Sequence, residues 1–256
     1  MDRRKFLNIS AGAAVATGVA GMLPGCGAAA GVKSTDSDSA TRAGEPVHIK
    51  LGEEAGTPLK MRFLGTGAAD WNGRDDRARE DFAKAAKETG IKTPEIVPLS
   101  PGDKVTICGM TLTALPANHA TGDLKEQTLM YLIEKQAVRV LYATDTGGIP
   151  AIAARIVGID PHANGKPITG LVMEATMGMG TEGDEDFRIF THSSVGTVLR
   201  TTHMLLDKGR YIPAEGQPVY LTHLARTLHG TQAELDATLP KPLKAAYDGL
   251  EVTFTA

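Results

Sequence analysis

Short runs in which apolar and polar residues alternate recur along this chain, the period-two pattern of half-buried strands. Residues 47–51 and 59–64 carry it first, and the second run ends in the glycine-rich turn Gly65-Thr66-Gly67. Residues 96–99 read as extended, Pro101-Gly102-Asp103 as a turn, and residues 105–107 and 110–115 as a hairpin around Cys108-Gly109. Residues 129–134, 139–144, Val219–Thr222 and 250–254 read as further strands, and residues 170–173 as a buried strand. Helical spacing appears at residues 80–89, where Phe82, Ala85 and Ala86 share a face and Gly90 is a stop. It appears again at residues 149–156, 193–206 and 231–238. Strands come first and helices are mixed in later. That order predicts sheets with helices packed outside rather than a plain β-α-β alternation.

The N-terminal segment is read separately. Residues 1–26 have a charged start, Asp2-Arg3-Arg4-Lys5, then a small-residue apolar stretch too short and too rich in Ala and Gly for a membrane span. This is the pattern of an export signal, and Arg3-Arg4-Lys5-Phe6-Leu7 resembles the twin-arginine type. Leu23-Pro24-Gly25-Cys26 resembles a lipoprotein cleavage box that would leave a lipid anchor on Cys26. Plain cleavage near residues 28–30, with a soluble periplasmic product, is the alternative. Residues 27–46 have little apolar bulk and read as a flexible linker, which leaves residues 47–256 as the folded domain.

Composition narrows the function classes. With 42% hydrophobic and 22% charged residues the chain can bury an ordinary core. A net charge of -3 offers no broad basic surface for nucleic acid. The two cysteines, Cys26 and Cys108, make neither a disulfide framework nor a Cys-rich zinc site.

The histidines are more informative. His119 follows the strand run 112–116, Asp145 follows 140–144, and His223 follows Val219–Thr222. Strand ends hold side chains rigidly and can direct several into one cleft. Imidazole nitrogens and a carboxylate oxygen suit zinc or a similar divalent ion. By spacing alone, each residue reads equally well as a hydrogen-bonded strand-end group.

The local strings go further. Met61-Arg62-Phe63-Leu64-Gly65-Thr66-Gly67-Ala68-Ala69 resembles the opening strand and turn of metallo-β-lactamase-fold hydrolases. Leu112-Thr113-Ala114-Leu115-Pro116-Ala117-Asn118-His119 is similar to the segment that delivers a histidine in that fold. Leu141-Tyr142-Ala143-Thr144-Asp145-Thr146-Gly147 resembles the segment whose aspartate bridges two metals, and Tyr220-Leu221-Thr222-His223-Leu224 the final histidine motif. Leu171-Val172-Met173-Glu174-Ala175-Thr176 and Thr191-His192-Ser193-Ser194-Val195 match two further segments in the right order. The resemblance runs from about Lys60 to the C-terminus and points to the branch containing tRNase Z-like and cyclic phosphodiesterase enzymes.

The resemblance implies an α/β fold, the four-layer αββα sandwich, with its N-terminal half incomplete. It implies a divalent metal, zinc first, in one or two ions. His119 and His223 become ligands of different metals, and Asp145 the bridging ligand. His192 becomes a group that gives a proton to a leaving oxygen or contacts a phosphate, placed before a helix whose free N–H groups favour an anion. Glu174 reads either as a carboxylate orienting a ligand or as a strand-end acceptor. His229 is a weaker candidate at the cleft mouth. His48, His162 and His203 read as surface or packing residues.

One family feature is missing. The string His-x-His-x-Asp-His, which supplies most ligands of both metals, does not occur in the sequence. Residues 68–95 fill the interval where it belongs, and their carboxylates (Asp70, Asp75, Asp76, Glu80, Asp81) read as a solvated loop. Two functions follow as expectations. One is a metal-dependent hydrolase of a phosphodiester or related ester, a small-molecule substrate included, with activity reduced or lost and Asp145 and His192 in the chemistry. The other is a degenerate, non-catalytic envelope protein of the same fold. Oligomeric state is left open.

Overall fold

The central strands are buried on both faces, and alternating burial is kept to the outer ones. In the computed structural model, which describes residues 58–63, 97, 99–119, 127–160, 162–181 and 187–256, nine strands and three helices are seen. The signal at 1–26, the linker at 27–46, the strand at 47–51, the helix at 80–89 and the acidic loop residues lie outside the described residues.

Strand β1 is Leu59–Arg62, β2 Lys104–Ile107, β3 Met110–Pro116, β4 Leu129–Lys135 and β5 Val138–Ala143. Helix α1 (Ala151–Val157) and β6 (Gly170–Glu174) follow, then a 3-10 turn at Phe187–Phe190 and α2 (Val195–Asp207). The chain continues with β7 (Val219–Thr222), α3 (Gln232–Thr238), β8 (Leu243–Ala245) and β9 (Glu251–Phe254). A seven-stranded sheet has the order β2-β3-β4-β5-β6-β7-β8, and β1 pairs with β9 in a two-stranded sheet.

Side chains alternate between two cores, as the pleat requires. On β5, β6 and β7 the residues Leu141, Leu171, Met173, Val219 and Leu221 face a core shared with Ala153 and Val157 of α1 and Val198 and Leu205 of α2. Their neighbours Val140, Tyr142, Val172 and Tyr220 face a second core closed by Leu59, Met61, Phe63, Val252 and Phe254. The layers run helices, large sheet, small sheet, as in the metallo-β-lactamase-fold sandwich. Gly170 lets the layers close, because a Cβ there would stand 2.5 Å from the Phe254 ring. Phe254 is fully buried, and truncating such a ring to Ala costs about 3–5 kcal/mol.

The hairpin around Cys108-Gly109 forms with both residues at positive φ, 48° and 72°. That pair of left-handed residues is what a two-residue turn between twisted strands demands. The expected helix at 149–156 starts instead at Ala151, with Pro150 as its N-cap, and ends at Gly158 in the left-handed conformation. The expected helix at 193–206 starts at Val195, because the Ser194 side chain caps Thr197 N. No helix among the described residues is long and apolar enough to cross a membrane.

Strand direction positions the site. β3 and β5 are each antiparallel to β4, so they run the same way, and β5, β6 and β7 are parallel neighbours. All four therefore end on one rim of the sheet. His119, Asp145, Glu174 and His223 stand at or just beyond those four ends. This is the usual location for a site in a sheet with parallel strands.

Candidate functional site

Asp145 is the centre of the rim. His119 Nε2 lies 3.3 Å from its Oδ1, His223 Nε2 lies 3.5 Å from the same oxygen, and His192 Nδ1 lies 3.9 Å away. The sequence thus brings together all four residues it singled out, across more than a hundred positions of chain. The imidazoles also pack on one another: His119 meets His192 edge-on, and His192 stacks on His223.

Behind them stands Glu174, with its side chain 0% exposed. Its Oε1 accepts the backbone N–H groups of Thr146 (2.8 Å) and Ser193 (3.1 Å). Its Oε2 faces His192 Nδ1 at 2.9 Å and His223 Nδ1 at 3.4 Å, and it also meets the Thr176 hydroxyl. One carboxylate therefore joins the loop after β5, the loop before α2 and two rings. It is both a strand-end acceptor and a partner of the imidazoles. Burial, the largest influence, would raise its pKa, but the bonds and charges of His192 and His223 outweigh burial and hold it at about 2.

The rings respond differently. His119 is pushed down, chiefly by burial, against the opposing pull of Asp145. His223 is pulled up: burial alone would lower it, but its bond to Glu174 and the charge of Asp145 prevail. His119 Nδ1 is buried and has no hydrogen-bond partner among the described residues.

The expectation of an anion at the start of α2 needs correction. The N–H groups there are not free: Val195 N donates to Met177 O, Thr197 N to Ser194 Oγ, and Ser193 N to Glu174. The anion that this helix start attracts is the protein's own Glu174. His229 lies beside the site, its Nε2 2.7 Å from Ala175 O. His162 and His203 are exposed, and His48 lies outside the described residues.

Sequence reasoning missed the residues that hold the loops. Asn118 donates its backbone N–H to Thr146 Oγ1 (2.8 Å), and its amide donates to Gly147 O and Phe190 O at 3.2 and 3.4 Å. It ties the loop bearing Asp145 to the loop bearing His192. Gly147 permits this closeness, since a Cβ there would come within 3.0 Å of Thr191 C and 3.2 Å of His192 N.

The donor set fits a divalent metal. Ligand atoms on one tetrahedral zinc, each bonded at about 2.0–2.2 Å, lie roughly 3.3–3.6 Å apart. His119 Nε2 and His223 Nε2 stand off Asp145 Oδ1 by 3.3 and 3.5 Å. Among the described residues, the trios whose donors all lie within 4.8 Å of one another are His119–Asp145–His192 and Glu174–His192–His223. His119 and His223 fall in different trios and flank Asp145 from two sides.

Fold and rim together resemble those of a metallo-β-lactamase-type sandwich. Residues 68–162 match the family model of the beta-lactamase superfamily domain. It is similar to the metallo-β-lactamase fold protein YhfI from Bacillus subtilis at 17% identity, covering 69% of this chain and 62% of that one, with a TM-score of 0.42. A diphosphatase from the PhnP family is similar at 15% identity, covering 70% of this chain and 56% of that one, TM-score 0.43. The short form of human tRNase Z is similar at 9% identity, covering 71% and 66%, TM-score 0.42. The chain spans less than two thirds of the length of the first two of these structures. No curated protein matches the sequence significantly.

Proposed function

We propose that this protein is a metal-dependent hydrolase acting on a phosphodiester or related ester. The reading is carried by the approach of two imidazole Nε2 atoms, from His119 and His223, to one oxygen of Asp145. These three residues would hold a divalent ion, zinc by the character of the donors. Such an ion supplies Lewis acidity and makes water nucleophilic near neutral pH.

The chain's own groups divide the remaining work. Asp145 fixes the position of the donors around it. His192 gives a proton to the leaving oxygen, from the nitrogen opposite the one that faces Glu174. Glu174 holds that ring in place. The phosphodiester class rests on the resemblance of the rim segments to the tRNase Z-like and cyclic phosphodiesterase branch.

The test is hydrolysis of an aryl phosphodiester by purified protein with zinc or manganese added, beside Asp145→Asn and His192→Ala. Metal-dependent turnover is expected, with His192→Ala lowering kcat by roughly 10²–10⁴-fold. Turnover that is the same in both variants as in the parent would overturn the reading.

The missing His-x-His-x-Asp-His string favours a second reading, a degenerate binding protein of the same fold. It expects no turnover with any divalent metal and no metal-dependent change in melting temperature. For location we propose export through the signal at 1–26, with Cys26 lipidated. Replacing Arg3 and Arg4 by Lys is expected to retain the precursor in the cytoplasm, and Cys26→Ala to release the mature protein from membranes.

A further inference from the structure

Thr176 stands at the crossing of the network. Its backbone is pinned, with Thr176 O accepting Ala225 N at 3.4 Å, and the preceding Ala175 N donating to Thr222 O at 2.9 Å. The side chain is buried. Its Oγ1 lies 2.8 Å from His223 Nδ1, 3.1 Å from His192 Nδ1 and 3.1 Å from the His223 carbonyl, and it contacts Glu174 Oε2. The last carbonyl reaches Thr176 because His223 adopts a left-handed backbone, φ 56°.

A hydroxyl has one proton to give and two lone pairs. Glu174 Oε2 and the His223 carbonyl are acceptors, so the Thr176 proton belongs to one of them. If it went to His223 Nδ1 instead, two oxygens, one of them a carboxylate, would meet with no proton between them. The Thr176 oxygen must then accept from His223 Nδ1–H. The partners of the two rings also differ in closeness. His192 Nδ1 is nearer to Glu174 (2.9 Å) than to Thr176 (3.1 Å). His223 Nδ1 is nearer to Thr176 (2.8 Å) than to Glu174 (3.4 Å).

We infer that Thr176 is a positioning residue that keeps the proton of neutral His223 on Nδ1, so that Nε2 is the nitrogen left to face Asp145, while Glu174 sets the tautomer of His192. The two neighbouring rings are thereby fixed by different groups. Its value to metal binding rests on the proposed function above, but the tautomer does not.

The experiment is long-range ¹⁵N–¹H NMR of the imidazoles in the full metal-free chain, at a pH high enough for His223 to be neutral, with Thr176→Val and Thr176→Ser, followed by zinc titration. The parent is expected to display Nδ1–H at both His223 and His192. Thr176→Val should shift His223 toward Nε2–H and leave His192 unchanged, and Thr176→Ser should restore the parent pattern. Zinc should bind about 10–100-fold more weakly to Thr176→Val, the loss typical when a group orienting a ligand is removed. An Nε2–H tautomer at His223 in the parent overturns the inference, and so does an unchanged His223 in Thr176→Val. If Thr176→Val does not fold, the parent spectrum and Thr176→Ser decide it alone. A parent with the expected tautomers that binds no zinc overturns the functional reading and leaves the inference standing.

Discussion

Asp145 and His223 face each other, Oδ1 to Nε2 at 3.5 Å, and each reaches that position through a left-handed backbone, with φ of 53° and 56°. Each lies just past the end of a parallel strand, where a left-handed residue turns the chain sharply and aims the side chain along the rim. Asp and His tolerate this conformation better than most residues, and such outliers gather at functional sites. The two requirements on Asp145, its backbone and its charge, can be separated. Asp145→Asn keeps the backbone preference and is expected to fold with stability within about 1 kcal/mol of the parent, whereas Asp145→Ala loses about 1–2 kcal/mol. Both should lose any zinc-dependent rise in melting temperature. Urea unfolding with and without zinc checks this, and a zinc response that persists in Asp145→Asn contradicts it.

Glu174 makes the metal-free protein sensitive to acid. Its folded pKa of about 2 lies below the ordinary 4.5, so its contribution to stability is complete above pH 4.5 and fades as pH falls toward 2. The shift corresponds to an effect on the order of 3 kcal/mol. His223 runs the other way: its pKa is raised above 6.5, so its contribution is complete below pH 6.5 and is lost as pH rises through the folded value. These two groups favour the metal-free fold most between pH 4.5 and 6.5. Denaturant unfolding across pH should find the parent's advantage over Glu174→Gln shrinking below pH 4.5. An advantage that is constant down to pH 2 would contradict this.

Gly147→Ala tests how closely the loops must pack. The added Cβ would crowd Thr191, His192 N and the Asn118 amide at 3.0–3.2 Å. Two of those contacts are backbone, so the loop carrying His192 must move away from Asp145. Overpacking of this kind costs about 1–3 kcal/mol. Activity should fall further than stability alone explains, with kcat reduced more than KM rises. Unchanged kcat in folded Gly147→Ala would show that the position of His192 does not matter.

Much of this was legible in the sequence, for reasons that differ by residue. The strands leading to His119, Asp145 and His223 are runs of apolar and β-branched residues ended by a polar one, a local pattern that needs no tertiary knowledge. β8 (Leu243–Ala245) was not legible, because Leu-Lys-Ala directly after Pro242 has little strand propensity and forms only by pairing with β7. Thr176 and Asn118 were visible only as members of motif strings. Their roles come from partners 47 and 72 positions away, and no local pattern records that. The N–H groups expected to be free at the start of α2 are taken for the same reason: their acceptors include Met177 O and the carboxylate of Glu174, which arrives from β6.

Zinc content is the most direct test of the centre. Purified protein, equilibrated with zinc and freed of excess, should retain it stoichiometrically, and His119→Ala and His223→Ala should each abolish retention. Retention undiminished in both variants, or none in the parent, would contradict a metal site built on Asp145 and the two rings beside it.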